Sequence, residues 1–293
     1  MVMVNEKNKD RLFSFIFGNE GNKRWTLDLY NAINGSDYDD PEEIELNTMN
    51  DTVYMGMRND LSFIIRADMS IWAHQSTYNP NMPLRELMYI GRVFDKYVHQ
   101  KRMNIYGSKL IVLPVPKIVV FYNGTRDAKD EMILNLSDAF YDGVDPSESD
   151  VQVRVRMLNI NYGRNKELMN ACRPLMEYSW FVMMVRTNKK NGMDIEDAVD
   201  KAVDDMPDDY LIKLFLVGNR AEVKSMCITE YDEEETMNLF KEEGREEGRE
   251  EGIRGIIALC RKMNGSEIDV VESVVSTYGV TEDEAKVMVR KYW

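Results

Sequence analysis

Apolar positions in the first half of the chain alternate between a helical and a strand period. Helical spacing runs through Lys9–Asn34, where Gly18 and Gly21 divide two helical pieces, and again through Leu84–Lys101 behind Pro83. β-branched and aromatic residues concentrate in four predicted strands: Glu45–Met57, Leu61–Arg66, Ser70–Thr77 and Leu110–Tyr122. The predicted order is helix, three strands, helix, strand, with the second and third strands forming a hairpin.

The second half of the chain is predicted to be mostly helical. Val151–Ile160 alternates valines with polar residues, which is typical of a half-buried strand. Helices are predicted after Asn165, at Glu167–Arg186, Ile195–Asp205, Tyr210–Val217 and from Glu222 onward. These elements predict an α/β fold, a mixed central sheet flanked by helices, followed by a helical extension.

A Glu-Glu-Gly-Arg repeat occupies Lys241–Gly252 and contains no apolar residue. Its glycines recur every four positions and each costs a helix about 1 kcal/mol relative to alanine, so we interpret the repeat as a solvated spacer; close helix contact through the glycine stripe is the alternative. Beyond it, Ser266 and the Thr281–Glu284 capping box predict a small helical module. The predicted divisions are 1–165 core, 166–240 helical extension, 241–252 spacer and 253–293 C-terminal module.

Composition narrows the class of protein. With 44% apolar and 10% aromatic residues among 293, the chain is globular and not wholly disordered. Its net charge of −14 comes from two acidic stretches, Asp194–Asp209 and Asp232–Gly252. The rest is balanced, and Arg85–Lys109 holds six bases against two acids, a run more often typical of a solvated helix face. The acidic total therefore does not exclude DNA as a partner.

Membrane and secreted classes are disfavoured by the sequence. Met1–Asp10 lacks the basic and apolar regions of a secretory signal. The longest apolar stretch, Leu110–Tyr122, is interrupted by prolines and a lysine and is shorter than the ~18 residues of a membrane span. Cys172, Cys227 and Cys260 are far apart, as expected for reduced thiols rather than a zinc site. We expect a cytoplasmic protein.

Polar residues interrupt the apolar hairpin strands and mark candidate chemistry. Asp60 heads one strand, and His74 and Gln75 lie in its partner. Satisfied strand-end residues are one interpretation. The order of elements favours another, because a helix, three strands, a helix and a strand form the core of the PD-(D/E)XK nucleases.

Several motifs resemble the Rpn family of recombination-promoting nucleases, also described as transposase-like members of the PD-(D/E)XK superfamily. The resemblance covers nearly the whole chain and includes the Glu-Glu-Gly-Arg repeat. The other matching segments are Asp10–Phe13, Val53–Asp60, His74–Arg85, Asn104–Lys109, Phe121–Thr125 and Arg156–Asn161.

The resemblance implies a divalent-metal site in the hairpin, most often for Mg²⁺, with Ca²⁺ and Mn²⁺ as alternatives. Asp60 takes the place of the motif aspartate and Gln75 that of the terminal lysine, but Ala73 stands where the family has glutamate. A methyl group cannot ligate a hard cation, so catalysis is impaired in this chain. A substitution introduced on purpose and natural loss of the site both remain open; the intact flanking motif favours the first.

The implied reaction is hydrolysis of a DNA phosphodiester. Gln75 would orient water or phosphate. Asp10 would add a metal contact, or its negative charge would simply stabilise the N-terminus of its helix. Arg85 and Lys109 are candidates for phosphate contact on charge alone. By strand alternation, His74 faces away from Ala73 and is expected to be structural.

The sequence therefore predicts a metal-dependent DNA endonuclease of the recombination or mobile-element type, inactive as given. A different class is the alternative: a DNA-binding or partner-binding regulator that has lost its metal site. DNA is the expected partner, no membrane is expected, and self-association of the chain is left open.

Overall fold

A mixed sheet of six strands organises the first part of the chain. The computed structural model describes residues 12–46, 61–143, 145–263 and 265–293, and divides the chain into two compact units, Met1–Tyr231 and Asp232–Trp293. The strands are β1 (Ile44–Leu46), β2 (Leu61–Ile65), β3 (Asp68–Gln75), β4 (Val115–Tyr122), β5 (Glu131–Asn135) and β6 (Arg154–Asn159). The helices are α1 (Leu12–Phe17), α2 (Lys23–Asn34), α3 (Met82–Gln100), α4 (Lys166–Ala171), α5 (Arg173–Lys190), α6 (Ile195–Asp204), α7 (Lys213–Gly218), α8 (Arg220–Lys262), α9 (Glu267–Tyr278) and α10 (Glu282–Arg290).

The strand order β1-β2-β3-β4-β6-β5 brings the ends of three strands together. β2 and β3 form the predicted antiparallel hairpin, with Leu61 opposite Trp72. β3, β4 and β6 are parallel, and α3 is the crossover from β3 to β4. Their carboxyl ends therefore meet at one edge of the sheet, the usual place for a ligand in parallel sheets.

The sheet is covered on both faces, and alternation along each strand decides which residue meets which layer. On the α5 face, Trp72 and Phe121 share a core with α1, α2, α4 to α7 and the first turns of α8. On the α3 face, Ala73 and Tyr122 share a second core with Met82. The predicted α/β class, a mixed sheet flanked by helices, is confirmed; the PD-(D/E)XK assignment stays a prediction.

Several predicted boundaries were wrong, for local physical reasons. β4 begins at Val115, and the apolar residues before it lie in an irregular loop where Leu110 is 89% exposed. β5 was missed because its side chains are mostly exposed or half-buried, which hides the strand period. The predicted helix Glu167–Arg186 is two helices broken at Cys172, since Pro174 starts a new one. The predicted strand Glu45–Met57 overlaps β1, and its remainder lies outside the described residues.

The second unit contains the end of α8 with α9 and α10. The Glu-Glu-Gly-Arg repeat is part of the long helix α8. Gly252 of the repeat lies against Tyr278, because an added Cβ there would be 1.9 Å from the tyrosine hydroxyl. Both predicted caps form, Ser266 with Asp269 and Thr281 with Glu284. The domain divisions predicted from sequence stay a prediction.

The three cysteines are free thiols in different surroundings. Burial raises the pKa of Cys172 to about 12 and also raises the pKa of Cys227, whereas Cys260 in α8 is only half-buried. Among the helices described, none is both long and apolar enough to cross a bilayer.

Candidate functional site

The carboxyl end of β3 holds three consecutive buried residues of the predicted site region. Ala73, His74 and Gln75 are 0%, 1% and 7% exposed. They are buried because β3 is a central strand with neighbours on both sides, and the Asn123 N–H donates to the Gln75 carbonyl at 3.1 Å. The end of the strand is thus fixed by a backbone hydrogen bond from the residue that follows β4.

Ala73 faces α3 in an apolar setting. Its methyl belongs to a cluster with Met82, Val120, Tyr122 and Met157. This position offers no oxygen to a cation.

The two aspartates predicted for the site, Asp60 and Asp10, lie outside the described residues. Only the sequence neighbour of the first can be located: Leu61 pairs with Trp72, the residue before Ala73. The expected roles of both aspartates therefore stay predictions.

A carboxylate that the sequence reasoning did not single out lies under α3. Glu86 is 1% exposed, although glutamate is almost never fully buried without a purpose or a partner. It follows Met82 by four residues and precedes Tyr89 by three, so it shares their sheet-facing side of the helix. Met82 clusters with Ala73, and Tyr89 clusters with Ile71, which places Glu86 over this part of β3. Its place in the apolar helical stripe was the signal available from sequence.

His74 has a structural environment on the opposite face, as alternation predicted. Its Nε2 lies 3.1 Å from the Tyr178 hydroxyl, and its ring stacks on Phe13 with centroids 5.4 Å apart. These contacts tie β3 to α1 and α5.

The two candidate phosphate-binding residues are not brought together. Arg85 lies half-buried in the first turn of α3, next to the end of β3, where its Nη1 is 3.4 Å from the Met82 sulfur. Lys109 is exposed in the loop beyond the far end of α3. The helix from Arg85 to its end at Gln100 is about 22 Å long, at 1.5 Å per residue. Arg85 therefore belongs to the carboxyl edge and Lys109 to the region near the other end of the helix.

The residues described do not complete the implied divalent-metal site. Among them, no three histidine, cysteine, aspartate or glutamate side chains are grouped to hold an ion. At position 73 a methyl stands where the resemblance leads us to expect a carboxylate, and Asp60, the other expected ligand, lies outside the described residues. The described residues alone therefore do not provide the donors that a divalent cation needs.

A second polar cluster follows β4 and β6 at the same edge of the sheet. Arg186 of α5 donates to the Asn123 carbonyl at 2.5 Å and to Asn161 Oδ1 at 3.2 Å, and Asn161 Nδ2 donates to the Gly124 carbonyl at 3.0 Å. Gly124 is required here, because a Cβ would lie 2.2 Å from the Ser76 carbonyl oxygen. The sequence reasoning used these segments only as matching motifs and missed that they meet.

The chain matches no family model, no curated protein and no solved structure. The resemblance to the Rpn family rests on the quoted motifs alone.

Proposed function

We propose that the chain is a DNA-binding protein built on a metal-dependent endonuclease fold, whose hydrolytic site at the carboxyl end of β3 is incomplete because residue 73 is alanine. The observation that carries the proposal is the placement of Ala73 and Gln75. Both lie buried at the end of a hairpin strand that is parallel to its other neighbour, and α3 starts a few residues later. The sequence resemblance implies this architecture for its site.

Charge at the start of α3 supports DNA as the partner. Arg85 lies in the first turn, and Arg92 and Lys96 follow on the same helix. DNA carries a phosphate charge every ~1.7 Å of helix axis, so a line of cations along one helix matches its backbone. Gln75 would contribute an amide that orients water or phosphate, without the charge that a lysine supplies.

The decisive experiment restores the missing carboxylate. Ala73→Glu should gain cleavage of duplex DNA that depends on Mg²⁺ or Mn²⁺, measured on a supercoiled plasmid. Ala73→Gln is the matched control, because glutamine has nearly the same volume as glutamate but carries no charge. This variant should stay inactive. In the Ala73→Glu background, Asp60→Ala should abolish cleavage and leave the metal-free melting temperature largely unchanged. Inactivity with Mg²⁺, Mn²⁺ and Ca²⁺, together with no metal-dependent rise in melting temperature, would contradict the site assignment.

Binding by the chain as it stands tests the DNA partner separately from the chemistry. The unaltered protein should bind duplex DNA at least as well as Ala73→Glu, since glutamate adds negative charge beside the phosphates. Affinity should fall steeply with salt, with a slope of about −0.9 in log affinity per neutralised phosphate. Undetectable binding at low salt would end the proposal, because Ala73 accounts for lost cleavage but not for lost affinity.

A non-catalytic regulator is the second candidate, and the packing of Ala73 favours it. The methyl is fully buried among apolar neighbours, as at a position selected for packing. For a regulator, Ala73→Glu should lower stability in metal-free and metal-containing buffer alike, with no cleavage and with DNA or partner binding retained. The melting temperature with and without Mg²⁺ therefore separates the two candidates.

A further inference from the structure

A cavity of about 210 Å³ opens at the carboxyl ends of β4 and β6, on the α5 side of the sheet. Its wall includes Asn123 and Asn161 from the strand ends and Ser179, Arg186 and Lys190 from α5. This face is opposite the one that Ala73 occupies. The cavity is smaller than the ~300–1,000 Å³ typical of sites for drug-sized ligands, so it suits a small group.

The charges around the cavity are all of one sign. Arg186 and Lys190 contribute two cations, and no acidic residue is among its lining residues in the part of the chain that the structure describes. In a chain with a net charge of −14, such a pocket selects anions. Arg186 is held in place through one guanidinium nitrogen by Asn123 and Asn161, which pre-orients the planar fork for an oxyanion.

We infer that this cavity is a binding site for a phosphate group. Its oxygens accept hydrogen bonds from Arg186 and Lys190. Inorganic phosphate and the terminal phosphate of an oligonucleotide share this chemistry. The inference does not depend on the proposed nuclease site, which lies on the other face of the sheet.

Calorimetric titration of the full chain with inorganic phosphate at neutral pH and constant ionic strength tests the site. We expect saturable binding at one site per chain. Sulfate, which has the same shape and the same acceptor oxygens, should compete with phosphate for the site. Lys190→Gln should weaken phosphate binding about tenfold, the effect of losing one charge-assisted hydrogen bond. Lys189→Gln is the matched control: this lysine is also exposed in the last turn of α5 but does not line the cavity, and it should change affinity less than twofold.

Competition identifies the source of the phosphate. If a 5′-phosphorylated oligonucleotide displaces inorganic phosphate and its 5′-hydroxyl counterpart does not, the site takes a nucleic-acid end; if neither displaces it, the site takes the free ion. Two results would overturn the inference: no saturable binding at millimolar phosphate, or equal losses in Lys189→Gln and Lys190→Gln.

Discussion

At the end of β3, the two faces of the sheet differ in how their buried polar side chains are packed. On the α5 face, His74 is held by a hydrogen bond to Tyr178 and by stacking on Phe13. On the α3 face, the methyl group of the neighbouring residue Ala73 lies in an apolar cluster, and the Glu86 carboxylate is buried under α3. The polar His74 therefore has structural contacts, whereas Ala73 occupies the position that the nuclease resemblance predicts to be functional.

The largest expected effect is on the structural side of this comparison. His74→Ala should lower the free energy of unfolding by about 3 kcal/mol, because it removes a buried ring together with its hydrogen bond to the Tyr178 hydroxyl. His99 is the matched control, since it is the other histidine of the chain and its side chain is 79% exposed. His99→Ala should stay within about 0.5 kcal/mol in urea unfolding. Similar losses for both variants would break the comparison.

The α3 face is tested next, through the buried carboxylate. In the Ala73→Glu background, Glu86→Gln should reduce metal-dependent cleavage about a hundredfold, equivalent to roughly 2.7 kcal/mol of barrier, if Glu86 acts at the site. Asp95→Asn removes an exposed acid from the same helix and should leave the rate unchanged. An unchanged rate in Glu86→Gln would assign this carboxylate to the packing of α3.

Gly124 tests the packing at the sheet edge where the carboxyl ends of β3, β4 and β6 meet. Gly124→Ala should cost about 2 kcal/mol, because the new methyl meets the Ser76 carbonyl and the Tyr122 ring and something must shift. Gly91, in the interior of α3 with nothing within 4 Å of an added Cβ, is the control. Gly91→Ala should raise stability by up to about 1 kcal/mol. Thermal unfolding of both variants would give shifts of opposite sign.

The smallest effect concerns an ion pair beside the α5 face. Two hydrogen bonds from Arg156 lower the pKa of Glu131. The ion pair therefore stabilises the folded state above the unfolded-state pKa of Glu131. This stabilisation is lost as the pH falls through the lower folded-state pKa. Because both side chains are partly exposed, we expect only about 0.5 kcal/mol. The stability difference between the unaltered chain and Glu131→Gln should shrink between neutral pH and pH 3, and Arg156→Gln should show the same trend. A difference that does not change with pH would contradict this pairing.

Elements with strong local signals were predictable from sequence. The β2–β3 hairpin follows from two apolar runs across a short turn, and α3 follows from apolar residues at helical spacing behind Pro83. The caps at Ser266 and Thr281 follow from their side chains alone. In each case the determining interactions lie within a few residues of one another.

Features that depend on distant partners were not predictable. The exposed apolar run before Val115 resembles a strand in sequence, but it ends at Pro114, which has no N–H to give to a ladder. Arg186 meets Asn123 and Asn161 across 63 and 25 residues, a convergence that spacing cannot reveal. The burial of Glu86 depends on which strand α3 covers. Two of the predicted site residues, Asp60 and Asp10, lie outside the described residues.

The contrast among the three cysteines has a practical consequence for experiments on this chain. Cys172 is fully buried and burial raises the pKa of its thiol, so it should react negligibly with maleimides at pH 8, and Cys227 is also shielded by burial. Cys260 is the accessible one of the three. The unaltered protein should therefore take up about one fluorophore per folded chain, attached near the end of α8, without any cysteine being removed or introduced. Denaturation should raise the uptake to three, which makes dye stoichiometry a direct readout of folding.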